Sequence, residues 1–215
     1  YYPEVIRANM HLPEDVTVID DYVGLHRREL PKKLHAMLLR YYDGISLAEV
    51  KAACRAAFAE QRAHMERIRT EGKRMLREAY AADMPVIVLA SRPYHADPEV
   101  CHGIDKLICD LGAAVITEDA VADEIPKFEV NVLNQWTYHS RMYAAARYVA
   151  ENAREHPKLN LVQFVSFGCG VDAITTDEIR SILESSGKIY TQIKIDEITN
   201  LGTVKIRLRS LFATM

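Results

Sequence analysis

The chain has 215 residues, 49% of them hydrophobic and 27% charged, which is typical of a soluble globular protein with a substantial core. Its formal net charge of −3 argues against the strongly basic domains that bind nucleic acid. No apolar run is long enough to cross a bilayer and no signal peptide is visible, so we expect a cytoplasmic protein without a membrane partner.

The cysteines lie far apart in the sequence, at Cys54, Cys101, Cys109 and Cys169. Because no two of them form a CxxC pair, a self-contained zinc site is not expected, and cytosolic thiols should stay reduced. The chain begins with Tyr1 rather than Met, so we expect it to be a piece of a longer protein.

Residues 1–84 are predicted to form a mostly helical segment. The run VTVID at residues 16–20 predicts a short strand, and apolar residues at helical spacing predict a helix over residues 30–42. Ser46 and Glu49 have the spacing of a capping box, which predicts the start of a long helix that continues to about Tyr80. The charged residues on one side of this helix indicate a face in contact with solvent.

Residues 85–215 are predicted to form an α/β domain of the Rossmann or flavodoxin-like type. The β-type runs lie at residues 86–90, 113–117, 160–165 and 188–195, with helical patterns near 98–111, 130–152 and 174–186. This alternation predicts a doubly wound, mainly parallel four-stranded sheet, to which the N-terminal segment adds a helical extension. The last pattern, NLGTVKIRLRSLFATM, is compatible with a closing helix or an edge strand.

Capping patterns predict where two of these helices start. Asp97 followed by Pro98 predicts an N-cap and a first helical residue, with Gly112 at the end of the same helix. Thr175 and Glu178 have the spacing of a second capping box.

The carboxyl ends of the parallel strands are the expected place for a ligand, near the point where the strand order reverses. The loop SFGCG follows the third predicted strand and places Cys169 between Gly168 and Gly170, just before a helix. Such a loop directs backbone N–H groups and the positive end of a helix dipole at one spot, which suits an anion, a phosphate or a metal cluster. Cys169 is therefore interpreted as a thiolate ligand, as a nucleophile, or as a small residue that fills a tight turn.

The loop SRPYHADPEVCHG follows the first predicted strand and offers further candidates, Arg92, Tyr94 and His95. A guanidinium can fork onto a phosphate or carboxylate, and a histidine can transfer protons or ligate a metal. The alternative is a turn fixed by proline, in which the histidine pairs locally. Cys101 is expected inside a helix, and Cys54 and Cys109 are expected to be buried and inert on apolar helical faces.

The segment NQWTYHSRMY, residues 134–143, concentrates aromatic and polar side chains. Trp136 is predicted to pack on the sheet, whereas His139 and Arg141 are candidates for the mouth of the site. Carboxylate pairs also follow two predicted strands, Glu118 with Asp119 and Asp196 with Glu197. Carboxylates in these positions can bind a metal, act as bases, cap helices or face solvent.

Six segments carry a resemblance to one protein family: RPYHADPEVCHGI, TED, NQWTYHSRMYAAA, SFGCGVDAITTDEI, GKIYTQIKIDE and NLGTVKIRLRSL. In order and spacing they resemble the 2-hydroxyacyl-CoA dehydratase component and enzyme activase-related family. The resemblance is close over the α/β domain and looser over the helical segment.

The resemblance implies iron–sulfur chemistry, in which an ATP-dependent activase domain or subunit delivers an electron at low potential. It implies that the substrate is an acyl-CoA or another small molecule, and it is compatible with a homo-oligomer. By this similarity Cys169 is a ligand of a [4Fe–4S] cluster, with Gly168 and Gly170 beside the cofactor. The catalytic side chains implied to line the cleft are Arg92, Tyr94, His95 and His139.

The chain also departs from the family pattern. A cubane cluster needs about four ligands, and no upstream CFP-type cysteine is present, so the ligand set in this chain is expected to be incomplete. Cys101 stands where relatives are expected to have asparagine, and the ATPase motifs of the activase are missing. We therefore expect a fragment that is inactive alone. The alternatives are a non-catalytic ligand-binding or partner-docking module, and a hydrolase in which a histidine contacts Cys169.

Overall fold

The computed structural model describes residues 2–25, 28–196 and 200–215. The α-helices of this part are α1 (Tyr2–Asn9), α2 (Leu30–Leu38), α3 (Leu47–Ala81), α4 (Ile104–Asp110), α5 (Thr137–Glu151), α6 (Gly170–Glu184) and α7 (Gly202–Phe212). The strands are β1 (Val86–Ala90), β2 (Ala114–Thr117), β3 (Leu159–Val165) and β4 (Thr191–Lys194). None of the helices in these ranges is long and apolar enough to cross a membrane.

The four strands form one parallel sheet in the order β2-β1-β3-β4. In the centre of the sheet Val88 of β1 pairs with Ile116 of β2 on one side and with Leu161 of β3 on the other. All five residues of β1 and all seven of β3 are buried, as expected for parallel strands covered on both faces. The predicted α/β fold with one long N-terminal helix is confirmed.

Helices cover both faces of the sheet. Successive residues of a strand point to opposite faces, so each strand contributes side chains to two clusters. Val86, Val88 and Ala90 pack in one cluster with side chains from the end of α3 and from α5 and α6. Ile87 and Leu89 pack in a second cluster with side chains from α4 and α7. The last pattern of the sequence therefore forms a closing helix rather than an edge strand.

The chain divides into two compact units, Tyr1–His64 and Met65–Met215. The first unit has a small core of its own, in which Leu30, Val50 and Cys54 are buried. The capping box predicted at the start of α3 is confirmed, since the Glu49 N–H donates to Ser46 Oγ (3.2 Å) and the Ser46 N–H donates to Glu49 Oε2 (2.8 Å). The sequence predicts a domain boundary after residue 84, between the helical segment and the α/β domain. That boundary stays a prediction.

Four of the predicted element positions are wrong, and one of them is the helix expected near residues 130–152, which begins only at Thr137. Residues 16–20 form no strand, since a strand needs a hydrogen-bonded neighbour and the described part of the chain provides none for them. The helix predicted from Pro98 begins only at Ile104, because His102 and Gly103 have φ values of 52° and 73° and interrupt it. The helix predicted to be capped by Thr175 already begins at Gly170.

Candidate functional site

The strand order marks the carboxyl edge of the sheet between β1 and β3 as the expected position of a ligand crevice. These two strands are neighbours, but the helix that follows β1 packs on one face of the sheet and the helix that follows β3 packs on the other. The loops that leave the two strands therefore diverge, which is the usual place for a ligand in a doubly wound sheet. The loop after β1 contains Arg92, Tyr94 and His95, and the loop after β3 contains Gly168 and Cys169.

His95 joins the two loops through both of its ring nitrogens. The backbone N–H of Arg92 donates to His95 Nδ1 (3.4 Å), which leaves the proton of the neutral ring on Nε2, where it donates to Ser166 Oγ (3.0 Å). The side chain is fully buried, and this burial, with a smaller effect of the Arg92 charge, lowers the pKa of His95 to about 4. His95 is therefore neutral at physiological pH and holds Ser166 against the loop after β1.

Arg92 forms a second connection across the crevice, an ion pair with Asp172 in the first turn of α6. Both side chains are largely buried, and a carboxylate in the first helical turn also interacts favourably with the helix dipole. Tyr94 lies at the rim, half exposed, with its hydroxyl 3.5 Å from Ser166 Oγ and its ring edge-on to His95. The structure thus brings Arg92, Tyr94 and His95 together at the end of β3.

The loop that carries Cys169 turns sharply away from the sheet. Phe167 and Gly168 both have positive φ angles, 65° and 63°, and the Phe167 N–H donates to Asp196 Oδ1 (3.1 Å). A positive φ is unfavourable for phenylalanine, and its side chain is 76% exposed, so this backbone is held by the surrounding fold rather than by packing of the ring. Cys169 is the half-buried N-cap residue of α6 and has no side-chain capping bond.

His139 of α5 is the fourth predicted catalytic residue. The side chain is 9% exposed, and neither of its buried ring nitrogens has a hydrogen-bond partner among the described residues. Burial lowers its pKa, and the charges that act on the ring are those of Asp172 and Arg92. The Trp136 ring meets the His139 ring edge-on, with 5.5 Å between the ring centroids. The catalytic and cofactor-binding roles predicted for these residues stay predictions.

A separate ionic cluster forms where β2 ends. Arg141 of α5 donates to Glu118 Oε1 (2.7 Å) and also pairs with Asp119. Glu118 is only 2% exposed, and this burial, together with the Asp119 charge, raises its pKa to about 7 although Arg141 opposes the shift. Of the candidates after β4, Asp196 binds the Cys169 loop through Phe167, and Glu197 lies outside the described residues.

The other cysteines and Trp136 differ from expectation in three respects. Cys101 lies in a turn before α4 rather than in a helix, with its thiol 3.4 Å from Asp105 Oδ1. Cys109 is exposed, whereas Cys54 is buried as predicted. Trp136 precedes α5 instead of lying within it, so its ring stays 41% exposed rather than packing on the sheet.

Two residues that contact the predicted site were not predicted from the sequence, Ser166 and Asp172. Ser166 is the polar residue directly after an apolar strand, and Asp172 is an acidic residue in a first helical turn, so both had a local signal. Their partners, His95 and Arg92, are more than 70 residues away and could not be read from local sequence. No hydrogen bond joins Cys169 to a histidine in the described part of the chain, so the geometry does not favour a hydrolase.

A comparison with known protein families gives one match, which lies in the first part of the chain. Searches of curated proteins and of solved structures found no match to it. A family model described as the CoA enzyme activase uncharacterised domain matches residues 1–121, which include the helical segment, β1, β2 and the loop with Arg92 and His95. This match covers more than half of the 215 residues. The chain therefore belongs to the CoA enzyme activase-related family of this domain.

Proposed function

We propose that this domain forms one side of a cofactor and substrate cleft in an iron–sulfur protein related to 2-hydroxyacyl-CoA dehydratases. In this proposal an ATP-dependent activase domain or subunit supplies a low-potential electron, and the substrate is an acyl-CoA or another small molecule. The observation that carries the proposal is the position of Cys169. It is half-buried, lies at the start of α6 at the carboxyl edge of the sheet, and belongs to no hydrophobic cluster among the described residues.

The position of Cys169 at a helix N-terminus suits a negatively charged cofactor. Helix α6 has 15 residues, and the positive end of its dipole lies at the N-cap that Cys169 occupies. The positive end of a helix dipole stabilises the negative charge of a cluster bound there. A Cβ atom added to Gly168 or Gly170 would meet nothing within 4 Å, so the backbone on either side of Cys169 is open to a bound group.

The described residues do not fit a complete cluster. They contain no group of three or more His, Cys, Asp or Glu side chains that could hold a metal ion. Cys101 has its thiol directed at Asp105 and is buried in the cluster of α4 and α7. Cys169 therefore supplies one ligand in this proposal, and the remaining ligands come from outside the described residues.

The proposal is tested by measuring iron and acid-labile sulfide in the protein purified anaerobically in its full cellular form. We expect Cys169→Ser to lose most of its iron, sulfide and visible absorption, because serine is a poor cluster ligand in place of a thiolate. Cys109→Ser is the matched control, since Cys109 is an exposed thiol on α4 and should keep the wild-type content. Unchanged iron and an unchanged redox spectrum in Cys169→Ser would remove Cys169 as a ligand.

A second candidate function is a non-catalytic module that docks a partner or ligand. The observation that favours it is the exposure of large apolar side chains around the crevice, namely Tyr94, Trp136, Tyr138 and Phe167. Large apolar side chains left exposed in this number near one edge of a sheet are a common feature of interaction sites. Absence of iron from the wild-type protein, combined with retained binding of its CoA-enzyme components, would favour this second function.

A further inference from the structure

The first unit of the chain has a groove beside the first half of α3, which we call the α2–α3 groove. Its volume is about 520 Å³, and all of its lining residues lie in this unit. They are Pro31 of α2 and six residues of α3, namely Lys51, Cys54, Arg55, Phe58, Ala59 and Arg62. The six positions recur at helical spacing, so their side chains share one side of α3.

The apolar side chains of the α2–α3 groove belong to the core of the first unit. Cys54 is buried in the small cluster with Leu30 and Val50, and Phe58 packs against that cluster. Pro31 directly follows Leu30 at the start of α2. The same cluster therefore holds both of the helices that line the groove.

The charged side chains of the groove are all basic. Lys51, Arg55 and Arg62 are exposed, and none of them forms an ion pair with a carboxylate in the part of the chain that the structure describes. The second half of α3 differs, because three of its cations pair with carboxylates, namely Arg69, Lys73 and Arg74. Three positive charges without a partner favour a negatively charged occupant.

The spacing of these charges indicates the shape of the occupant. Lys51 and Arg62 are separated by about 16 Å along α3, since a helix rises about 1.5 Å per residue. A single phosphate or carboxylate group reaches neighbouring cations of such a row but not its whole length. A second helix laid along the groove presents side chains at the same intervals, and its apolar side can contact Phe58 and Ala59.

We propose that the α2–α3 groove docks an acidic, amphipathic helix of a partner protein. Carboxylates of this helix pair with Lys51, Arg55 and Arg62, and its apolar side chains pack on Phe58 and Ala59. A nucleic acid also carries a row of negative charges, but its phosphate backbone has no apolar side that would match the groove. The proposal involves neither iron nor the strand ends of the sheet, so it stands or fails separately from the iron and sulfide measurement.

Site-directed photo-crosslinking of the full-length protein in its own cells tests the identity of the occupant. Benzoylphenylalanine in place of Ala59, which lines the groove, should crosslink to another protein, and mass spectrometry locates the crosslinked segment. We expect a segment with Asp or Glu at intervals of three or four residues beside an apolar stripe. Benzoylphenylalanine in place of Ala53 is the control, since Ala53 is exposed on the side of α3 opposite the three cations and should give no such product.

The role of the charges is tested with the crosslinked segment made as a fluorescently labelled peptide. Its affinity for the 215-residue chain is measured by fluorescence anisotropy. Arg55→Glu should bind the peptide about tenfold more weakly, because it places like charges opposite each other. Arg77→Glu is the matched control, since Arg77 is another exposed arginine of α3 but lies outside the groove. Added salt should weaken the binding of the wild type more than that of Arg55→Glu.

Three results would overturn the proposal. The first is that Ala59 gives no crosslink beyond the Ala53 control. The second is a crosslink to nucleic acid, to lipid, to the same polypeptide or to a segment without regularly spaced acidic residues. The third is wild-type peptide affinity in Arg55→Glu, with its fold checked by circular dichroism. If the Ala59 variant does not fold, benzoylphenylalanine in place of Arg62 answers the same question from one end of the groove.

Discussion

The carboxyl group of Glu118 is almost fully buried. Its ion-pair partner is Arg141, which also pairs with Asp119. Its folded-state pKa of about 7 lies above the usual value of 4.5, because burial disfavours the charged form. The unfolded chain therefore releases this proton at lower pH than the folded chain does. Between these two values the contribution of Glu118 to stability falls as the pH rises.

We predict that Glu118→Gln removes this pH dependence. The glutamine stays neutral and can still accept a hydrogen bond from Arg141. The wild-type free energy of unfolding should fall by about 2 kcal/mol relative to the variant between about pH 5 and about pH 8, since one pKa unit corresponds to about 1.4 kcal/mol. Urea denaturation at a series of pH values measures this difference. The exposed Glu99 provides the control, and Glu99→Gln should follow the wild-type curve.

His95 affects the wild-type curve in the opposite sense. Its folded-state pKa of about 4 lies below the usual 6.5, so its contribution to stability is lost as the pH falls through this range. The wild-type profile alone can therefore look flat. His95 is present in both chains, so the difference between wild type and Glu118→Gln isolates the carboxyl group. A difference that does not change with pH would contradict the raised pKa of Glu118.

At the level of elements, α3 approaches the end of β2 more closely than a side chain allows. A Cβ atom placed on Gly72 would lie 2.3 Å from the Cβ of Ala120, in the short turn that follows β2. Two ion pairs connect the same elements, Arg69 with Asp123 and Lys73 with Glu124. The glycine in mid-helix is thus explained by packing, in spite of its poor helix propensity.

We predict that Gly72→Ala destabilises the chain by about 1–3 kcal/mol, the usual cost of overpacking. Helix propensity alone predicts the opposite sign, a gain of about 1 kcal/mol. Combining Gly72→Ala with Ala120→Gly removes the clashing methyl group and should recover most of the loss, which a double-mutant cycle in urea measures. Stabilisation by Gly72→Ala alone would show that the two elements are further apart than described.

The four strands of the sheet could be predicted from sequence, whereas the starts of several helices could not. Fully buried parallel strands such as β1 and β3 are continuously apolar, so the sequence marks them directly. Asp97 does accept hydrogen bonds from the N–H groups of Glu99 and Val100, but these close a local turn instead of starting a helix. Glu178 binds Asn131, 47 residues away, and no local pattern reveals such a partner.

For the whole molecule, the position of the predicted site follows from a rule of topology, but the pairing of the side chains at that site does not. A parallel sheet places strand ends together, so Arg92, His95 and Cys169 could be assigned to one edge from sequence. Which strands are neighbours is decided by crossovers between distant segments, and so is the pairing of Arg92 with Asp172. The lack of a hydrogen-bond partner for the buried His139 ring among the described residues is likewise a property of the folded chain rather than of the local sequence.

The division of the chain gives a prediction about which residues fold together. Every side chain in the two clusters that cover the sheet comes from Met75 or later, whereas the small cluster around Leu30 and Cys54 lies within the first 64 residues. A chain of residues 65–215 keeps both sheet clusters whole. We therefore expect it to unfold cooperatively, with an amide spectrum that matches these residues in the intact chain.

A chain of residues 85–215 is the matched comparison, because it removes Leu76 and Ala79 from the buried cluster on one face of the sheet. Loss of a buried leucine typically costs about 2–5 kcal/mol, so this shorter chain should melt at clearly lower temperature or fail to fold. Circular dichroism melts and ¹H–¹⁵N spectra of both chains give the answer. Equal stability of the two would show that the end of α3 is dispensable and would place the folding boundary after residue 84, where the sequence pattern changes.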